Sequence, residues 1–233
     1  MIDIRPYASL GGSHSGWLKT RHHFSFADYE EEERMGWGAL LVWNDDEIAP
    51  GAGFPAHAHA DIDIITYVRA GSLTQGDSLG HDGCMEAGRV QVMSAGSGIT
   101  HAEYNAEPGT TRIFQIWIIP DSEGQPPSWG TRPFPKGERS GRFVVLASGF
   151  GEDADALPLR TDARVLGATL KAGETAEYAM AEGRYGYLVP ARGSVEINGT
   201  RIDARDGAAI RDERVLRVTA LDDAELVLVD TAA

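Results

Sequence analysis

Apolar and polar positions alternate with a period of two over short stretches, and this pattern recurs along most of the chain. Between 36 and 43, Ala39, Leu41 and Trp43 fall on one face of an extended segment. β-Branched and aliphatic runs follow at 62–68, 89–94, 112–119, 142–147, 165–170, 185–189, 194–197, 200–202, 214–218 and 225–229. Alternation of this length belongs to strands with one buried face. Asn198-Gly199 lies between two such segments and predicts a two-residue hairpin, because both residues tolerate the left-handed backbone that this turn needs. No stretch longer than a few turns repeats at the helical period. Residues 17–26 are aromatic-rich without a clear period, and the acidic run at 30–33 reads as a solvated surface segment. An all-β sandwich or barrel is expected.

The pattern breaks near the middle. Residues 121–137 are rich in proline and glycine between two strand-like regions, which predicts a connector. The chain divides accordingly into a first unit at 1–125, a connector at 126–138 and a second unit at 139–233. Both units show strands punctuated by glycine turns, so we read a duplication of one β-barrel. Their chemistry differs, because all seven histidines lie at or before position 101. A second copy without histidines would survive as structure or as a lid.

Charge and cysteine content narrow the function classes. A formal net charge of −14 argues against a nucleic-acid surface and against anionic membrane. The start Met1-Ile-Asp-Ile-Arg-Pro6 lacks the basic and apolar regions of a signal peptide, and no apolar run approaches a membrane span. Cys84 is the only cysteine, so no intrachain disulfide can form, which suits a reducing cytoplasm.

Candidate chemistry concentrates between Phe54 and Tyr104. His57-Ala-His59 and His101-Ala-Glu103 each place two ligand side chains at i and i+2, on one face of a strand. Two such pairs on neighbouring strands bring three imidazoles and a carboxylate around one cavity. Gly96 and Gly98 permit the bend that aims the second pair inward. Three nitrogens and one oxygen without a thiolate suit iron(II), nickel, copper, manganese or zinc. His22 and His23 read as packing residues, with His22 also placed to line the cavity mouth. His81 reads as a solvent-facing turn residue, and His14 sits in a Ser/Gly loop. His57-Ala-His59-Ala-Asp61 also matches the start of a metallo-β-lactamase-like signature. That site needs a histidine directly after the aspartate, where this chain has Ile62.

His57-x-His59, Thr66-Tyr67-Val68, Gly71, Asp77-Ser78-x-Gly80 and the string Gln91-x-Met93-Ser94-Ala95-Gly96-x-Gly98-Ile99-x-His101-x-Glu103 resemble the pirin family of bicupins. Gln115-Ile116-Trp117-Ile118, Trp17-Leu18, His22 and Phe24-Ser25-Phe26 fit as well. The resemblance implies two tandem cupin barrels with one metal, usually iron, in the first. It carries the ligand role to His57, His59, His101 and Glu103. It also implies a quercetin 2,3-dioxygenase activity, with a flavonol-like enol and O2 as substrates, Glu103 as general base and Asp63 as the alternative base. Asp63 stands where the family usually has Glu. His22, Phe24 and Phe26 are expected around the substrate pocket. A second reading is a metal-dependent, redox-responsive regulatory module that binds a protein partner without turnover. Two fused barrels cover the surface that single cupins use to pair, so a monomer is expected.

Overall fold

The computed structural model describes residues 1–137 and 140–233; the unit boundary expected at 138–139 lies outside them. The described residues form twenty-two strands. They are β1 (Ile2–Arg5), β2 (Gly11–Ser15), β3 (Leu18–His22), β4 (Leu40–Ile48), β5 (Ala52–His59), β6 (Asp63–Ala70), β7 (Ser72–Asp77), β8 (Asp82–Glu86), β9 (Arg89–Ser94), β10 (Ile99–Asn105) and β11 (Thr111–Ile118). There follow β12 (Ser128–Pro133), β13 (Val144–Ser148), β14 (Leu157–Pro158), β15 (Ala163–Leu170), β16 (Thr175–Ala179), β17 (Tyr185–Arg192), β18 (Val195–Ile197), β19 (Thr200–Ile202), β20 (Gly207–Arg211), β21 (Val215–Ala220) and β22 (Ala224–Thr231). Asn198 and Gly199 take φ of 48° and 86° between β18 and β19, the hairpin that their sequence predicts.

The expected duplication is visible in the strand order. The first barrel closes a sheet β12-β9-β6-β11-β4-β3-β2 over a sheet β5-β10-β7-β8. The second closes β1-β20-β17-β22-β15-β13-β14 over β16-β21-β18-β19. Advancing each central strand of the first barrel by eleven gives its counterpart in the second: β9-β6-β11-β4 becomes β20-β17-β22-β15, and β5-β10-β7-β8 becomes β16-β21-β18-β19. These are two tandem barrels of the double-stranded jelly-roll type.

Two edges correct the expected boundaries. β1 pairs with β20, Ile2 opposite Ile210, so the chain's first strand belongs to the second barrel's sheet. β12, inside the expected connector, pairs with β9 and extends the first barrel. Proline-rich composition concealed it, yet Pro133 sits at the strand's end on a sheet edge, where its missing N–H costs no ladder bond. Cys84 is exposed in β8.

The two seven-stranded sheets face each other. Trp43, Ile65, Tyr67, Phe114 and Ile116 of the first pack with Val165, Tyr187, Val189 and Val227 of the second in one apolar cluster. Polar groups cross the same seam. Arg205 Nε donates to Asp45 Oδ2 at 2.5 Å, and the Tyr67 hydroxyl donates to Glu225 Oε2 at 2.6 Å.

The barrel interiors explain why only one half carries chemistry. The second is filled by aliphatic side chains, including Leu166, Leu188, Val195, Ile197, Leu216 and Val218. In the first, an apolar cluster around Ile48, Val68, Leu73 and Ile113 is separate from another around Ile62, Ile64, Met93 and Ile99. Between them the buried residues include Asp46, Gln91, Glu103 and Gln115.

Candidate metal centre

β5 and β10 supply the site. They pair antiparallel with His101 opposite His57 and Ile99 opposite His59. A register shift after His101 sets Glu103 opposite Phe54, while β10 keeps alternate burial, so His101 and Glu103 share its buried face. The backbone before β10 turns at Gly96, whose φ of +50° and whose clearance of 2.0 Å from a would-be Cβ to the Gln125 carbonyl admit only glycine.

The three imidazoles meet. Their ligating nitrogens all lie within 4.8 Å of one another, and no carboxylate among the described residues joins them within that limit. Nε2 of His57 and Nε2 of His101 are 3.0 Å apart. Two imidazole nitrogens bound at right angles to one ion, each about 2.1 Å from it, stand about 3 Å apart, so the spacing fits a shared cation. His57 Nδ1 donates to the Pro55 carbonyl at 2.7 Å, which leaves the Nε2 lone pair facing the cluster. Burial, with the neighbouring imidazoles, lowers His59 and His101 to about 4. Both are neutral at pH 7, the form that binds a metal.

Glu103 lies beside the triad. Its Oε2 accepts from Gln115 Nε2 at 3.0 Å, while Oε1 is buried with no hydrogen-bond partner. Burial raises its carboxyl to about 7, against the Gln115 hydrogen bond, with the Asp46 carboxylate adding to the rise. A buried, half-satisfied carboxylate next to three imidazoles suits either a proton or a cation. The donor set therefore fits a divalent metal held by His57, His59 and His101, with Glu103 Oε1 available as the fourth group.

Gln115 fixes that carboxylate. Its amide nitrogen donates to Glu103, while its oxygen accepts from Trp117 Nε1 at 3.1 Å. The Trp117 ring lies edge-on to His59, with centroids 5.1 Å apart. Replacing Gln115 by leucine is expected to leave Glu103 Oε2 unpaired and to destabilise the metal-free protein by about 1–3 kcal/mol. Urea unfolding at pH 7.5 measures that loss, and nickel titration reads the accompanying drop in affinity.

Two expected site residues lie elsewhere. The resemblance implies Asp63 as the alternative base, but a turn at 60–62 separates it from the histidine strand. It shares the face of β6 with Ile65 and Tyr67, toward the second barrel, and its Oδ2 accepts the Arg160 backbone N–H at 2.8 Å. That position removes it as a base. Phe24 is 1% exposed in the seam between the barrels, against Tyr187, so it lines no pocket. His22 and Phe26 sit closer to expectation. Phe26 packs edge-on to Trp117 at 5.4 Å, and His22 packs on Phe26 at 5.2 Å while bonding Asn44 through Nδ1. His81 pairs with Asp77 and stacks on Trp129.

Sequence reasoning missed Trp117 and Gln115 as neighbours of the centre, and it missed Asp46. Asp46 is buried, its Oδ1 has no partner, and burial raises its carboxyl to about 7. The signal was Asn44-Asp45-Asp46 inside an otherwise apolar strand. Outside the triad, a cleft of about 330 Å³ lined by Ala58, His59, Ala60, Ser78, Gly98, Ile99 and Thr100 opens next to His59.

A barrel duplicated in strand order, with an imidazole triad in one copy and an aliphatic filling in the other, defines a bicupin with one metal centre. Comparison with known proteins narrows the class. A family model described as Pirin matches residues 4–118, and one described as the quercetinase C-terminal cupin domain matches residues 145–231. The chain is 68% identical to a pirin-like protein of Caulobacter vibrioides, across the whole of both chains. It is 36% identical to a quercetin 2,3-dioxygenase of Escherichia coli K12, covering 99% of this chain and 98% of the other. The crystal structure of the bacterial pirin YhhW of Escherichia coli in complex with nickel(II) superposes with a TM-score of 0.92 at 35% identity, covering 100% of this chain and 99% of that one. The chain belongs to the pirin family.

Proposed function

We propose that the protein is a metal-dependent dioxygenase that opens flavonol-like enols with O2. The observation that carries this reading is the imidazole triad with a cleft beside it and a buried carboxylate, Glu103, in reach of a substrate proton. The cleft's volume is at the lower end of the range for small-molecule sites. Iron(II), which His57, His59 and His101 would hold, would supply a Lewis acid for the enol oxygen and an electron source for dioxygen.

The chain's own residues do the rest. Pro55 fixes the His57 tautomer, and Gln115 holds Glu103 so that Oε1 faces no competing donor. Glu103 at about 7 is matched to take the enol proton near neutral pH. Trp117 flanks His59 and Phe26 backs Trp117, apolar surfaces that suit a flat aromatic ring. Nickel in the Escherichia coli relative accords with the general preference of such sites for nickel over iron, so the ion found after purification depends on supply. The chain acts as a monomer.

The test uses protein loaded with iron(II) or nickel(II) and incubated with quercetin in air and under argon. Oxygen-dependent loss of the flavonol absorbance with release of carbon monoxide is expected. Metal-loaded protein that leaves the flavonol intact in air overturns the proposal.

A further inference from the structure

The ligand strands end in two turns that lean on each other and on the second barrel. Asp61 N–H donates to the Gly96 carbonyl at 2.8 Å, and Ala95 N–H donates to the Ile62 carbonyl at 2.9 Å. The first turn follows His59; the second precedes His101. The segment at 121–128 closes over both, with Ser97 N–H donating to the Gln125 carbonyl at 2.7 Å and Gly124 N–H to Asp61 Oδ1 at 2.7 Å.

One residue of the second barrel grips all three segments. The Arg160 backbone N–H donates to Asp63 Oδ2, and its carbonyl accepts Asp121 N–H at 2.8 Å. Its guanidinium donates to the Pro126 carbonyl and to Ser128 Oγ. Nη1 of the same guanidinium lies 2.6 Å from where a Cβ on Gly96 would be. Arg160 therefore packs on the bend that aims His101, and its backbone anchors the strand that begins after the turn from His59.

We propose that Arg160 is a positioning residue for the metal centre, through which the metal-free barrel pre-organises the imidazole triad of its twin. The argument rests on the triad binding a metal and is independent of the reaction run there. Arg160 touches no imidazole among the described contacts, so its effect passes through the geometry of the two turns. Residues that orient metal ligands from outside the first coordination shell change affinity by about 10–100-fold when replaced.

The experiment is nickel(II) titration of the full chain by calorimetry at pH 7.5, together with thermal unfolding of the metal-free protein. Arg160→Met keeps the aliphatic stem and removes the donors; it is expected to weaken nickel binding by about 10–100-fold in protein that still unfolds cooperatively. Arg160→Lys keeps the charge and one donor, serves if the methionine variant does not fold, and is expected to give an intermediate loss. The nickel dissociation rate into excess chelator should rise in the same order. A lowered melting temperature with wild-type nickel affinity and dissociation rate would show Arg160 to be only a clamp between barrels, and overturns the proposal. A wild-type chain that takes up no nickel overturns the metal site and the positioning role together, which separates that failure from failure of the dioxygenase assay alone.

Discussion

Replacing His101 by alanine is expected to remove metal binding while leaving the fold in place. His101 packs against both other ligands: its ring centroid lies 4.5 Å from that of His57 and 5.0 Å from that of His59. Two imidazoles with a carboxylate at their side cannot match the wild-type site. Loss of a direct ligand should exceed the roughly 10–100-fold typical of supporting residues. At a metal concentration a thousandfold above the dissociation constant, bound metal stabilises the wild type by about 4 kcal/mol, and the variant should lack that increment. In the metal-free state the buried His101 Nδ1 has no hydrogen-bond partner, so little is lost with the ring. Metal-free wild type and variant should unfold within about 1–2 kcal/mol of each other. Elemental analysis and melting curves with and without nickel check both halves; stoichiometric metal in the variant would move the site elsewhere.

Glu103→Gln should change the pH dependence of metal uptake, which decides whether Glu103 is a ligand. His59 and His101 titrate near 4, so above about pH 5 they are already neutral; Glu103, near 7, is still protonated in part. If its carboxylate binds the ion, affinity climbs by up to about one log unit per pH unit from 5 to 7 and then levels. The glutamine variant should climb less steeply than the wild type over that range. A wild type no steeper than the variant would leave three histidines as the whole protein ligand set.

The metal-free stability carries the opposite signs. Burial raises the Glu103 carboxyl above its unfolded value of 4.5, so its contribution is full below pH 4.5 and fades as pH climbs to about 7, by up to about 3 kcal/mol. His59 and His101 are lowered from 6.5 to about 4, so their contributions grow from pH 4 to 6.5. In the wild type the single falling trend offsets about half of the rise from the two histidines. Removing the carboxyl leaves the rising one, so urea unfolding of metal-free Glu103→Gln should show stability increasing from pH 4.5 to 6.5 more steeply than in the wild type.

The elements that sequence reasoning located well are those whose signal is local. Asn198-Gly199 sets its own turn through two left-handed residues. His57-x-His59 and His101-x-Glu103 keep their pairs on one strand face because alternation needs no tertiary information. Reasoning failed where a residue's role depends on which sheet faces which. Asp63 follows His59 across a turn in which Asp61 takes φ 48°, so its face is set by β6 and not by the histidine strand. The resemblance groups Phe24 with Phe26 at the expected pocket. The chain leaves β3 at His22, however, and Phe24 drops into the seam between the barrels. β1 carried no mark of its partner, since pairing across some 200 residues leaves no trace in the strand itself. Gln115 and Trp117 lay within the stretch that resembles the family, yet their contacts with Glu103 and His59 emerge only from the register of β11 against its neighbours.

That first strand has a consequence for synthesis. Its partner, Gly207–Ile210 in β20, is synthesised some 200 residues later. Until then the leading barrel must wait with Trp43, Tyr67 and Phe114 turned toward absent neighbours. Nascent chains stalled before β20 should thus expose a broad aromatic surface to chaperones, and native assembly should be a late, whole-chain event instead of two successive closures.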